Sequence, residues 1–316
     1  MSSSTIRTGL TLLVDNYGRV VDSIRISLTQ SCNFNCFFCH REGEVNPYER
    51  EMSVDEISRI ARIAYGLGVR KIKLTGGEPL VRSDIVEIVS SIARIGSLED
   101  LAVTTNGFFL SELAHQLKKV GLMRVNISLP SLKPNVFKYV TGFDSLREVL
   151  NSVKAALEVG LVPVKLNMVL LKGINEDEVW DMVEFSGRIG AILQIIELEP
   201  INMDLKLYEG LHVDPSPIEE ALRCKAIRTY VRSLHNRRRY VMPNGAEVEV
   251  VKPMHNSLFC ANCTRIRITS DGFIKPCLLR SNNHIDILTP MRNNASDEEL
   301  IKLFIRAVKL REPFFK

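Results

Sequence analysis

Six of the seven cysteines in this 316-residue chain fall into two triplets. The first, Cys32-x3-Cys36-x2-Cys39, places three thiols in the stretch SCNFNCFFCHRE; the second is Cys260-x2-Cys263-x13-Cys277. A structural zinc site takes four ligands, so each triplet is one short. An iron–sulfur cube held by three thiolates leaves one iron without a protein ligand, and that corner can bind a substrate or cofactor through an amino or carboxylate group. The alternative for the first triplet is a zinc ion completed by His40 or by a distant residue. His40 directly follows Cys39, which makes sharing one ion with its neighbour geometrically awkward. Cys224 stands alone in a helix-like segment, where a buried, inert thiol is expected. An odd cysteine count argues against a disulfide framework, and MSSSTIRTGLTLLVDNYGR lacks the basic and apolar regions of a signal peptide. A cytoplasmic protein with reduced thiols is expected.

Two such triplets need a scaffold, and the sequence between them supplies one. Strand-like runs at 23–29, 71–75, 101–105, 123–129, 162–170 and 192–198 alternate with segments of helical spacing. In SVDEISRIARIAYGLG (53–68), Ser53 and Glu56 form a capping box while Ile57, Ile60, Ala61 and Ala64 line one face. DSLREVLNSVKAALEVG (144–160) repeats the form, with Asp144 as the cap and Gly160 as the stop. Six β/α units predict a parallel sheet curled into a barrel or partial barrel, with functional loops at the C-terminal ends of the strands. That puts the cysteine loop, TGGEP (75–79), TNG (105–107) and Ser128 on one face.

From about residue 205 the pattern changes: a helix-like stretch near 215–232 precedes short strands, with a hairpin turn at Asn244-Gly245. A soft boundary near 230 divides the chain into 1–230 and 231–316. The net charge of +4 suits any anionic ligand and is too small to argue for nucleic acid, and no apolar run is long enough to cross a membrane. The placement of charge is more telling. Arg25, Lys73 and Lys165 sit inside apolar strand runs, and Arg265 and Arg267 alternate in TRIRIT so that a strand presents both on one side. A charge in such a run must face a cavity or a partner, because burying it unpaired is too costly. For Arg237, Arg238 and Arg239 in HNRRRY, a solvated strand edge with charges that oppose aggregation is an equal alternative.

The first triplet, read with GGEP after the second strand, resembles the radical S-adenosylmethionine (SAM) superfamily. The second triplet, with CTRIRITSDG running on from Cys263, resembles the GTP 3′,8-cyclase family of molybdenum cofactor biosynthesis, and the similarity spans nearly the whole chain. It implies a partial (βα)6 TIM-like barrel with a smaller C-terminal α+β region, and two [4Fe-4S] clusters on Cys32, Cys36 and Cys39 and on Cys260, Cys263 and Cys277. SAM would be cleaved reductively at the first cluster, and the 5′-deoxyadenosyl radical would take hydrogen from C3′ of GTP before C3′ bonds to C8. Phe38, Gly77, Ser128 and Glu199 would lie at SAM, although the family commonly has methionine at the last position. Arg25, Lys73, Thr104, Lys165, Arg265 and Arg267 would hold the nucleotide, with Arg265 and Arg267 placed nearest the chemistry. An electron donor and a downstream cyclic pyranopterin monophosphate synthase would be partners. The family often ends in two glycines that reach the active site, whereas this chain ends KLREPFFK: either this branch dispenses with that tail, or Arg311 or another basic residue takes over its role, or the substrate differs. Two other readings stand beside this one: a radical enzyme with an auxiliary cluster acting on a peptide or small molecule, and a non-catalytic iron–sulfur or zinc regulator that binds nucleotide.

Overall fold

The computed structural model describes residues 12–44 and 50–316. The first eleven residues, on which the absence of a signal peptide was in part read, lie outside the described residues. Six parallel strands follow in chain order: β1 (Ser23–Ser27), β2 (Lys71–Thr75), β3 (Asp100–Thr105), β4 (Arg124–Ser128), β5 (Lys165–Val169) and β6 (Ile192–Ile196). Helices such as Val54–Gly66 and Leu146–Glu158 connect them. After them come β7 (Arg228–Val231), β8 (Arg238–Val241), β9 (Glu247–Val251), β10 (Arg265–Ile268), β11 (Phe273–Lys275) and β12 (Ile285–Asp286).

The later strands join the same sheet at opposite edges. β9 pairs in parallel with β6, and β10 pairs in parallel with β1. The order is therefore β12-β11-β10-β1-β2-β3-β4-β5-β6-β9-β8-β7, with eight adjacent parallel strands and short antiparallel extensions at both ends. β9 and β10 do not pair among the described residues, so the barrel stays open between them. The sheet runs without interruption across residue 230.

Period-two alternation sorts each strand's residues between two faces. Ile24 and Ile26, Ile72 and Leu74, and Val125 and Ile127 are fully buried and form the hydrophobic core beneath the connecting helices. Arg25, Lys73, Asn126 and Lys165 point the other way, into the barrel. A TIM barrel interior is ordinarily filled by bulky branched side chains. Here it encloses a cavity of about 440 Å³, a volume suited to a small-molecule ligand.

Three local expectations are corrected. The capping box of Ser53 and Glu56 forms, but the helix Leu146–Glu158 begins after Ser145, and Asp144 lies 3.5 Å from Lys138 without capping. The helix expected to reach 232 ends at Lys225. There Ala226 turns extended and the backbone N–H of Ile227 donates to Val241 at 2.9 Å, so a sheet edge captures the β-prone run that follows. Cys224 is exposed on that helix rather than buried. The Asn244-Gly245 turn forms as read, with Gly245 at φ +84°.

Candidate active site

The loop after β1 brings Cys32, Cys36 and Cys39 to the cavity wall as free thiols. Burial pushes Cys36 up to about 12, reinforced by the neighbouring Cys39 and Cys32 thiols, and burial also raises Cys32 and Cys39. Thiols in this environment ionise only against a strong cation, so the donor set fits a metal centre better than a free nucleophile. No three His, Cys, Asp or Glu side chains among the described residues converge tightly enough for a single ion. A cube that gives each thiolate its own iron has a wider footprint, and the three thiols within electrostatic reach of one another fit it. His40 is engaged elsewhere: its Nδ1 accepts the backbone N–H of Glu42 at 3.0 Å.

The glycines of TGGEP have a reason beyond approach to a ligand. A Cβ on Gly77 would lie 2.3 Å from the carbonyl oxygen of Ser31 and 2.5 Å from that of Gln30, and one on Gly76, at φ +151°, would lie 2.4 Å from that of Thr29. The motif is packed backbone to backbone on the cysteine loop, and Gly77 N–H and Glu78 N–H donate to Thr29 and Ser31 at 2.6 and 2.8 Å. Glu78, fully buried, fastens this assembly to the loop after β3. It accepts from the Thr105 hydroxyl (2.7 Å) and from the backbone N–H groups of Asn106 (2.5 Å) and Leu80 (2.9 Å). Burial nonetheless pushes its carboxyl up to about 7. Asn106 in turn donates to Asn33 Oδ1 at 2.8 Å and approaches Cys32 Sγ at 3.8 Å. Neither role was assigned from the sequence, although TNG and GGEP were both marked as strand-end loops. Phe38, Ser128 and Glu199 line the same cavity, Phe38 edge-on to Phe37. Burial raises the Glu199 carboxyl, opposed by His40, Arg267 and Arg25.

Into the same cavity the sheet presents a row of cations. Register pairs Arg267 with Arg25 and Arg25 with Lys73, on strands about 4.8 Å apart. Like charges directly opposite one another are destabilising, so this row requires an anion. One is built in. Glu42 accepts from Arg25 at 3.1 Å, from Thr75 at 2.9 Å and, closer still, from Arg267. Burial alone would raise its carboxyl, but Arg25 and Arg267 outweigh it and hold Glu42 well below the usual carboxylate range. The sequence reading did not pick out Glu42. Arg265 and Lys73 line the cavity without an ion-pair partner among the described residues; Lys73 has only the amide oxygen of Asn126, at 3.4 Å. The hydroxyl of Thr104 is buried beside them with no hydrogen-bond partner. In all, eleven Lys and Arg residues line the cavity against six Asp and Glu, an excess that favours a multiply charged anion.

Lys165 is placed differently from these. Its ammonium lies 3.2 Å from Glu249 on β9, a fully buried carboxylate that also pairs with Arg232, Arg237 and Arg239. Gln194 donates to Glu249 at 2.6 Å and accepts from Asn126 at 3.1 Å, and Asn126 accepts from Arg124, which is paired with Asp100. Asn126, Gln194 and Glu249 were overlooked in the sequence, where their signal is a polar residue on the inward face of an apolar strand. Of the HNRRRY arginines, Arg237 lines the cavity, Arg238 is exposed, and Arg239 is half-buried against Glu247 and Glu249.

The second triplet meets the same cavity from the β10 edge. Burial raises Cys277, reinforced by the neighbouring Cys263 and Cys260 sulfurs. Two buried guanidinium groups hold its backbone: Arg19 donates to the carbonyl of Cys260 at 2.8 Å and Arg311 to that of Cys263 at 2.6 Å. Asp15 pairs with both. Arg311, a candidate from its position near the C-terminus, is thereby committed to the second cysteine loop.

Residues 26–186 match the Radical SAM superfamily and residues 191–316 match Molybdenum Cofactor Synthesis C. Among solved structures, SuiB from Streptococcus suis shares the fold with a TM-score of 0.60 at 17% identity over 85% of this chain, which spans 62% of SuiB. Methylornithine synthase gives a TM-score of 0.57 at 15% identity, covering 90% of this chain and 86% of that one. An open parallel barrel with three free cysteines in the loop after its first strand, packed against GGEP after its second, is the framework of a radical SAM enzyme, a class that carries a [4Fe-4S] cluster and SAM. Two curated relatives, each called a probable GTP 3′,8-cyclase, narrow the class. The one from Thermococcus kodakarensis is 53% identical over 96% of this chain and its own full length; the one from Methanocaldococcus jannaschii is 45% identical over 96% of this chain and 99% of its own. The chain belongs to the GTP 3′,8-cyclase family. Among the described residues no helix is long and apolar enough to cross a membrane.

Proposed function

We propose that the cavity binds GTP between the two cysteine triplets and that the enzyme forms the C3′–C8 bond of (8S)-3′,8-cyclo-7,8-dihydroguanosine 5′-triphosphate there. The observation that carries this reading is the Arg267–Arg25–Lys73 row, facing the same cavity as both triplets and balanced by one carboxylate. A peptide substrate has no need of such a row, and a nucleotide-binding regulator has no need of the GGEP packing on an open cluster loop.

Cys32, Cys36 and Cys39 hold the first cluster, with SAM bounded by Phe38, Gly77, Ser128 and Glu199. Cys260, Cys263 and Cys277 would hold a second [4Fe-4S] cluster, which would supply a binding surface for the guanine end of the nucleotide. When bound, the first cluster and SAM supply a radical able to take hydrogen from C3′. The chain's own residues orient the nucleotide for that transfer. Arg25, Lys73, Lys165 and Arg267 receive the triphosphate, Thr104 offers an unpaired hydroxyl, and Arg265, beside Cys263, holds the nucleotide against the second triplet. Arginine suits phosphate because its planar fork donates two parallel hydrogen bonds. A low-potential electron donor, a downstream cyclic pyranopterin monophosphate synthase and a cytoplasmic location complete the proposal.

Anaerobic incubation of the reconstituted protein with GTP, SAM and a reductant is expected to yield an isomer of GTP together with 5′-deoxyadenosine by mass spectrometry. Arg265→Ala and Arg267→Ala each weaken GTP binding about tenfold or more while SAM cleavage persists. Unchanged GTP affinity in both variants would refute the assignment.

Lys165 sets a pH dependence. Burial lowers its ammonium to about 7, against the opposing pull of Glu249 and with help from Arg232, Arg237 and Arg239. Polyphosphate favours the charged form, so GTP binding takes up a proton and its affinity falls as pH rises above about 7. Calorimetric titrations in buffers of different ionisation heat detect that proton. Binding heats independent of buffer between pH 7 and 9 would count against Lys165 as a ligand.

A further inference from the structure

We infer that Arg237 is a further phosphate ligand of the nucleotide site, presented by the loop between β7 and β8; this rests on the GTP reading above. Its guanidinium lines the cavity while its side chain is only 10% exposed, and its Nε is buried without a hydrogen-bond partner. A buried, unpartnered donor on a cavity wall costs free energy until a ligand satisfies it.

Glu249 does not satisfy it. A carboxylate offers about four lone-pair sites. Those of Glu249 are taken by Gln194 at 2.6 Å, Arg232 at 3.0 Å, Lys165 at 3.2 Å and Arg239, which donates from two nitrogens. Arg237 is the loosest of the four cations, 3.5 Å away with no hydrogen bond to Glu249. Glu249 thus faces four cations, of which Arg239 has a second carboxylate in Glu247, and Arg237, on the cavity wall with Lys165 and Arg232, is the one left without a side-chain hydrogen bond among the described residues.

The loop is built to hold this arginine in place. His235 and Asn236 take left-handed backbone conformations, at φ +63° and +51°. His235 stacks on Phe259 with ring centroids 3.8 Å apart, and its backbone N–H donates to Asn262 at 2.9 Å. Arg232 N–H donates to the carbonyl of Arg237 at 2.8 Å and closes the loop. The helix Ser257–Ala261, which carries Phe259, also carries Cys260. Arg237 is thus fixed relative to the second triplet, and Arg25 lies within electrostatic reach across the cavity.

The test titrates the reconstituted holoenzyme, without reductant, with GTP, guanosine and inorganic triphosphate. Arg237→Ala is expected to weaken GTP and triphosphate by about 10- to 100-fold and guanosine by less than about twofold. Arg237→Lys recovers part of the loss, and Arg238→Ala, at an exposed neighbouring position, leaves all three affinities unchanged. Equal losses for GTP and guanosine, or none for GTP, overturn the assignment. Triphosphate binding that depends on Arg237 in a protein that ignores GTP would sink the nucleotide reading and keep the phosphate site. A wild-type protein that binds neither overturns both. SAM cleavage by Arg237→Ala in the absence of GTP reports that the variant is folded.

Discussion

Gly77→Ala is expected to strip iron from the first triplet and abolish 5′-deoxyadenosine production, while GTP binding at the proposed cation row persists. The added methyl group would meet the carbonyl oxygens of Ser31 and Gln30 at 2.3 and 2.5 Å, distances that no side-chain rotation relieves because both atoms are backbone. Relief requires the cysteine loop to move off GGEP, which breaks the bonds from Gly77 to Thr29 and from Glu78 to Ser31. Overpacking of about 1–3 kcal/mol and two backbone hydrogen bonds at about 0.5–1.5 kcal/mol each give a local cost of about 2–6 kcal/mol. That is large for a loop and small enough for the barrel to remain folded. Gly66→Ala is the control, since its methyl group meets nothing within 4 Å in a helix. Iron and sulfide analysis beside Cys32→Ala would measure the effect. Wild-type iron content and SAM cleavage in Gly77→Ala would show that the packing does not hold the site.

Glu249→Ala carries the second large effect, and here the whole fold is at stake. The carboxylate is fully buried and joins Lys165 on β5 to Arg232, Arg237 and Arg239 around the β7–β9 hairpins. Removing one partner of a buried ion pair typically costs about 3–5 kcal/mol, because the remaining charge is left uncompensated. Four cations remain here, although Arg232 is partly exposed and screened by water. A loss of about 3–5 kcal/mol takes much of the stability of an ordinary domain. Thermal unfolding should show a markedly lower midpoint, and inorganic triphosphate should restore part of it by supplying the missing anion. A midpoint within a degree or two of wild type would mean that Glu249 does not hold the hairpins to β5.

Much of the site was legible before any coordinates. Period two within a strand put Arg25, Lys73 and Lys165 on an inward face, and Arg265 and Arg267 on another, because a pleated strand cannot turn such residues elsewhere. The spacing of the first triplet and its position after a strand put three thiols in one loop on the rim shared with GGEP. Partners were not legible. Glu42 counters Arg267 across 225 positions and Glu249 counters Lys165 across 84, and nothing in a local pattern reports which acid will close on which base. Cys224 and Asp144 were misread for a related reason, since a helical pattern alone gives neither the burial of one cysteine nor the choice between two adjacent capping residues.

The sequence by itself therefore determined the chemistry available: two cysteine triplets, a glycine pair, and inward cations on parallel strands. Tertiary structure decided that the triplets share one cavity. Their separation of more than 200 residues is bridged only because β10 pairs with β1 while β9 pairs with β6, and pairing between strands so far apart in sequence depends on shared burial and edge hydrogen bonding rather than on local preference. The same pairings decided where the charges gather. By placing Arg267 beside Arg25 and Lys73, and Glu249 beneath Arg237, they leave a positive surplus that the fold does not neutralise and a polyphosphate can.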